Sequence, residues 1–344
     1  MDDGKKEYNL LVASYLEPEH VQRIRQVDAR LNVIYEPELL AQPKYPADHY
    51  GTPERTPEQE ARWRSLLGQA GILFDFDYSH RQELPELAPQ VEWIQASSAG
   101  IGQFVKRYGY DTRLLNTIFT TASGIHARPL AEFCIMAMIM HYKGILSVIR
   151  NQKRKHWERY AGDDLEGKTL AVIGLGRIGT LVASIACDLG MRVIGTDSKQ
   201  PEPCVERFFR SEQLHEMLPL ADVLVLSVPH TPYTEKMLGE AELSLLKPGA
   251  YLINISRGAV VDERALVEAL RSGHLGGAAL DVFTEEPLPE SSPLWSMQNV
   301  LISPHSASTS DRENERLTSL FCDNLRRFLD GRPLRNVLNP ELYY

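Results

Sequence analysis

Thr169-Leu170-Ala171-Val172-Ile173 runs directly into Gly174-Leu175-Gly176-Arg177-Ile178-Gly179, and Asp197 stands eighteen positions beyond the last of these glycines. The first five residues form an apolar run of strand type, and the residues after Gly179, as far as about Leu189, read as a helix. Three glycines in a strand-to-helix turn have separate tasks. Gly174 permits the tight turn, Gly176 lets backbone approach a pyrophosphate, and Gly179 lets the helix pack against the strand. The helix start then offers unpaired N–H groups and a positive dipole end to the phosphates. A bare GxGxxG is common, but this one has a strand before it, a helix after it and an acid ending the next strand. Asp197 would accept hydrogen bonds from both ribose hydroxyls and repel a 2′-phosphate, so NAD is expected over NADP, with Lys199 pulling the other way.

Outward from this turn the βα rhythm continues. Strands are expected at Leu170 to Gly174, Arg192 to Thr196, Val223 to Val228, Tyr251 to Ile255, Gly277 to Leu280 and Val300 to Ser303, most of them separated by helices. That pattern defines an α/β fold, a Rossmann-type doubly wound parallel sheet. The first third alternates in the same way, with strands at Tyr8 to Ala13, Leu31 to Tyr35, Gly71 to Phe76 and Val91 to Gln95, and helices at Glu19 to Ala29 and Glu58 to Leu67. Gln42 to Pro57, with four prolines and Gly51, reads as a loop. Phe74, Phe76, Tyr78 and His80 fall at alternating positions and either line a pocket or form one buried strand face; for Phe74 and Phe76 the core reading is preferred. A last helix spans Asp311 to Leu329 and is stopped by Gly331 and Pro333.

A length of 344 residues allows two domains, and a net charge of -9 gives no electrostatic footprint for nucleic acid or an anionic membrane. The basic cluster Lys153-Arg154-Lys155 is short and followed by acids, as at a solvated helix end. The apolar run Phe133 to Met140 is too short to span a bilayer, and no secretory signal is visible at Met1. The four cysteines are scattered without CxxC or zinc-type spacing. No metal site is therefore expected, and a reducing, cytoplasmic setting is.

Three segments at the ends of later strands carry reacting groups. Arg257, in Asn254-Ile255-Ser256-Arg257-Gly258, presents a planar fork that matches a carboxylate, or a carboxylate with its neighbouring keto oxygen. Asp281-Val282-Phe283-Thr284-Glu285-Glu286-Pro287 supplies carboxylates, and Ser303-Pro304-His305 supplies an imidazole. A carboxylate paired with His305 would favour imidazolium and so keep a proton ready for a carbonyl oxygen.

GLGRIG, VPHTPYTEKML (Val228 to Leu238), NISRGAVVDE, ALDVFTEEPLP (Ala279 to Pro289), SPLW and SPHSA, in that order and spacing, resemble the D-isomer-specific 2-hydroxyacid dehydrogenase family. The match covers roughly the last two thirds of the chain and extends more weakly to Ser98-Ala99-Gly100-Ile101 and Gly124-Ile125-His126. The resemblance implies hydride exchange between NAD(H) and a small 2-oxo or 2-hydroxy acid. Arg257 would orient substrate, His305 act as acid/base, and Glu286 rather than Glu285 be its partner, because the family carboxylate directly precedes the proline. Asp281 would hold the nicotinamide carboxamide. Arg177 and Ile178 would face the pyrophosphate, and Val228, Pro229, Thr234 and Ile255 would border the dinucleotide. The backbone N–H groups of Ala99 and Gly100 would bind the substrate carboxylate. Gly102 and Arg128 depart from the family pattern, and neither is among the reacting groups.

The family architecture further implies a flavodoxin-like domain of residues 1–122 and 309–344, with the cofactor domain, 123–308, inserted into it. An apolar helix from Pro129 to Ile149 would be a homodimer element by resemblance; by composition alone it is equally a core helix within one subunit. Formate and phosphite dehydrogenases share the scaffold. Hydride loss from formate needs no proton acceptor, so the His305–Glu286 pair argues against the first and leaves the second open. An NAD-sensing corepressor-like protein retaining the same triad is a non-enzymatic alternative.

Overall fold

The computed structural model describes residues 6–196 and 204–339, so Asp197 and Lys199 lie outside the described residues. The chain forms two compact units, Met1–His126 with Thr309–Tyr344, and Ala127–Ser308.

The first unit holds five parallel strands: β1 (Tyr8–Val12), β2 (Leu31–Ile34), β3 (Ile72–Phe74), β4 (Trp93–Gln95) and β5 (Ile118–Thr120). Their order, β2-β1-β3-β4-β5, is the flavodoxin-like one, with a topological switch between β1 and β3. Both faces are covered, which is why the strands read as continuous apolar runs. Leu317, Phe321 and Leu325 of the helix Glu313–Leu329 pack on Leu10, Val12, Phe74 and Trp93. The other face takes Trp63, Leu66 and Leu67 of the helix Pro57–Gln69, whose start carries a Thr56–Gln59 capping box.

The chain leaves this unit after His126, four residues later than the sequence reading placed the boundary. Ile125 belongs to the same apolar cluster as Phe321, His126 Nε2 meets Glu313 Oε1 at 3.1 Å, and Asn336 Nδ2 donates to Ser123 O at 2.8 Å. Phe74 and Phe76 are both wholly buried, but not on one face. Asp75 between them has φ 68°, which ends the strand alternation and turns Phe76 onto Phe104, Tyr110 and Phe119, while Phe74 packs on Phe321.

The second unit holds seven parallel strands: β6 (Thr169–Ile173), β7 (Arg192–Thr196), β8 (Arg207–Phe209), β9 (Val223–Leu226), β10 (Ala250–Asn254), β11 (Leu275–Leu280) and β12 (Val300–Ile302). The order β12-β11-β10-β9-β6-β7-β8 is that of a doubly wound dinucleotide-binding sheet with one added edge strand. One face is covered by the helices Ala127–Tyr142 and Arg177–Asp188, which bury Leu130, Ala131, Cys134, Val182 and Ala183 against Leu170 and Val172.

The apolar segment expected as one helix is two, Ala127–Tyr142 and Ile145–Lys153, bent by 65°. The break is Gly144, at φ 62°, where Tyr160 folds back and donates from Oη to Lys143 O at 2.6 Å. Among the described residues no single helix is long and apolar enough to cross a membrane.

Candidate active site

The glycine turn between β6 and the helix Arg177–Asp188 is built by contact. A Cβ placed on Gly179 would sit 2.0 Å from Gly174 O, and one on Gly174 would sit 2.8 Å from both Ser227 O and Val228 Cγ1. These two glycines let backbone pack on backbone, and Gly174 also takes φ 95°. Gly176 differs, because a Cβ there meets nothing within 4 Å. It caps the helix with no side-chain hydrogen bond, beside exposed Arg177 and half-buried Ile178. The open side of Gly176 and the uncapped helix start fit a dinucleotide pyrophosphate. Val228 packs on Gly174, Ile255 is buried, and Thr234 Oγ1 bonds Pro229 O at 2.7 Å and Thr231 N at 2.8 Å, which fixes the turn after β9.

Arg257 follows β10 in extended backbone. Asn254 holds the turn before it, accepting from Ser256 N and Oγ at 3.0 and 2.7 Å and donating from Nδ2 to Arg257 O at 3.2 Å. The next residue must be glycine, because a Cβ on Gly258 would fall 1.9 Å from the Phe283 carbonyl carbon. This contact seats the Arg257 turn against the turn that follows β11.

Asp281, at the end of β11, is 1% exposed. Its backbone O accepts from His305 N at 2.9 Å, and its Oδ1 accepts from Ser303 Oγ (2.6 Å), Ser306 N and Ala307 N (both 2.9 Å). Burial pushes its carboxyl up against the pull of these donors and of His305. Asp281 thus anchors the loop after β12, where His305 takes φ 52°. The sequence reading gave Asp281 only a cofactor role; its anchoring role needed the loop geometry to be seen.

His305 Nδ1 meets Glu286 Oε2 at 2.7 Å, while Glu286 Oε1 accepts from Phe283 N at 2.9 Å. Half-burial pushes the Glu286 carboxyl up, but the His305 and Phe283 hydrogen bonds and the charges of His305 and Arg257 outweigh it, holding it below the usual carboxylate range. Neighbouring Glu285 is exposed. Glu263, which the sequence alone offers as an alternative surface partner for Arg257, accepts from Thr284 N at 3.1 Å and braces the same turn. With Nδ1 engaged, Nε2 is the imidazole nitrogen left to exchange a proton with a ligand. Ala99 and Gly100 lie in the first unit, exposed after β4, with Gly100 N donating to Ser98 Oγ at 3.3 Å. Among the described residues no group of three or more His, Cys, Asp or Glu is placed to hold a metal ion.

Residues 135–307 match the family model described as D-isomer specific 2-hydroxyacid dehydrogenase, NAD binding domain. The chain is 31% identical to glyoxylate/hydroxypyruvate reductase B of Yersinia pestis (strain Pestoides F) over 298 residues, covering 83% of this chain and 89% of that one. It is 36% identical to D-3-phosphoglycerate dehydrogenase of Methanocaldococcus jannaschii over 214 residues, 61% of this chain but only 41% of that protein's length. A solved structure of a D-isomer specific 2-hydroxyacid dehydrogenase from Xanthobacter autotrophicus Py2, in complex with NADPH and MES, aligns with TM-score 0.78 and 27% identity over 98% of this chain and 100% of that one. The chain belongs to the D-isomer specific 2-hydroxyacid dehydrogenase family.

Proposed function

We propose that this chain interconverts a 2-oxo acid and a D-2-hydroxy acid with a nicotinamide dinucleotide. The observation that carries the reading is the 2.7 Å His305–Glu286 pair on a strand-end loop of a dinucleotide-binding sheet. A non-enzymatic sensor that retains the same pair is separated from this reading by turnover of a 2-oxo acid.

Gly174, Gly176, Arg177, Ile178 and Gly179 would hold the dinucleotide, which when bound would supply or accept the hydride exchanged at C2. In reduction, Arg257 would hold the substrate carboxylate and imidazolium at His305 would protonate the oxygen at C2 as its negative charge develops. The Ala99 and Gly100 amides are assigned to the substrate carboxylate by family resemblance. Glu286 fixes the ring through Nδ1, which leaves Nε2 toward the substrate. In oxidation, neutral His305 takes the hydroxyl proton as hydride leaves. Asp197 favours NAD over NADP by repelling a 2′-phosphate. Small acids of the glyoxylate and hydroxypyruvate type are the first substrates to try, given the name of the Yersinia relative.

A homodimer is part of the same proposal. Met136, Ile139, Val148 and Ile149 stay exposed on the two bent helices, and Trp157 beyond them is 92% exposed, an apolar surface suited to a second copy.

The test is His305→Ala. Turnover is expected to fall by about 10²–10⁴-fold, with NADH affinity unchanged in a fluorescence titration. Near-normal turnover would remove His305 from the reaction.

A further inference from the structure

Asp75 directly follows β3, at the β1/β3 switch of the five-stranded sheet, and combines three unfavourable features. Its backbone is left-handed at φ 68°, its carboxyl is wholly buried, and Oδ2 makes no hydrogen bond of good geometry. Local strain of this kind persists where the surrounding structure over-determines it, and it gathers at functional sites.

Two of the three contacts it does make fall on the end of β4 and the segment that follows it, at Gln95 and Ser97. Asp75 N donates to Gln95 O at 2.7 Å, and Asp75 Oδ1 accepts from Ser97 N and from Tyr78 Oη, each at 3.2 Å. Gln95 is itself pinned, with Oε1 accepting from Thr120 Oγ1 at 2.9 Å and from Asn324 Nδ2 at 3.1 Å. One residue beyond Ser97, Ser98 O accepts from Ala122 N at 3.0 Å. Ser97 and Ser98 are thus anchored from two sides, and the next two residues, Ala99 and Gly100, emerge exposed.

We propose that Asp75 is a positioning residue for the substrate: by clamping Ser97 N–H it sets the direction in which Ala99 and Gly100 present their amides to the carboxylate of a 2-oxo acid. The inference rests on the assignment of those two amides to the substrate carboxylate. Burial pushes the Asp75 carboxyl up, opposed by His49 and by the hydrogen bonds at Ser97 and Phe76. His49 is held by Ser14 Oγ at 2.9 Å and Asn314 Oδ1 at 2.8 Å. A carboxyl kept toward its neutral form clamps the loop without setting a second anion beside an arriving carboxylate.

Two substitutions separate this role from a packing role. Asp75→Gly accepts the left-handed backbone freely and deletes the acceptor, whereas Asp75→Asn keeps the acceptor and tolerates the same backbone. With hydroxypyruvate and NADH, D75G is expected to raise the KM for the acid at least about tenfold, with kcat within about threefold and the KM for NADH unchanged, while D75N stays within about threefold throughout. Hydrogen exchange over 96–101 is expected to quicken in D75G alone. Should D75G not fold, Asp75→Ser makes the same deletion, since its side chain is too short to reach Ser97. A KM within about twofold of the unmodified protein in the deletion variant, or kcat and both KM values worsening together, overturns the positioning role. If the unmodified protein reduces no 2-oxo acid, the functional reading itself fails and this inference falls with it.

Discussion

Glu286 and Glu285 are adjacent in sequence and unlike in surroundings. Both are exposed, but Glu286 accepts from Phe283 N and pairs with His305. Glu286→Gln is therefore expected to lower turnover by about 10–1,000-fold, because the imidazole loses its charge partner, whereas Glu285→Gln leaves turnover near normal. Comparable losses in both would remove the distinction. The pH dependence has a definite sign. The folded-state carboxyl of Glu286 is held below its unfolded value of about 4.3, so its stabilising contribution is complete above that value and is lost as pH falls through the lower folded one. Urea midpoints of the native protein and E286Q are expected to differ at neutral pH and to converge as pH falls through the lowered folded-state value. A gap that persists unchanged there contradicts the pairing.

At the scale of elements, two glycines in corresponding strand-end turns should behave oppositely. Gly258→Ala drives a Cβ to 1.9 Å from the Phe283 carbonyl carbon, a backbone atom with no side chain to yield. A loss of about 1–3 kcal/mol is expected in denaturant unfolding, with lower turnover because Arg257 precedes it. Gly176→Ala meets nothing within 4 Å, so stability is expected to hold while dinucleotide affinity falls by about tenfold, or about 1.4 kcal/mol. Normal NADH binding by G176A would show that the cradle lies elsewhere. The principal strands of both sheets were legible in sequence, because buried parallel strands such as Thr169–Ile173 are nearly unbroken apolar runs. The edge strands Ile118–Thr120 and Arg207–Phe209 were not, because each opens on an exposed residue and offers no longer apolar run. The break at Gly144 was missed because an apolar pattern says nothing of a left-handed residue, and Asp75 separated Phe74 from Phe76 for the same reason. Motif order pointed to Glu286 and His305 as a pair; the distance, the Asp281 anchor beneath them and the Glu263 brace exist only in three dimensions.

Across the whole molecule, the first unit is built from both ends of the chain, with Leu317, Phe321 and Leu325 of the last helix completing the core begun by Leu10 and Val12. Truncation before Glu313 would uncover that face. The exposed Met136, Ile139, Val148, Ile149 and Trp157 make the assembly testable in the same way. Light scattering after gel filtration is expected to give a dimer for the native protein and a monomer for Ile139→Lys combined with Trp157→Ala. A native monomer would discard the proposed interface. The reaction is tested most directly by its product. With hydroxypyruvate or phenylpyruvate and NADH, consumption of NADH should match the 2-hydroxy acid formed, chiral analysis should give the D isomer, and NADPH should be the poorer donor. No turnover across a panel of 2-oxo acids with either cofactor, or an L product, would contradict the assignment of Arg257, Glu286 and His305 to a D-specific 2-oxo acid reductase.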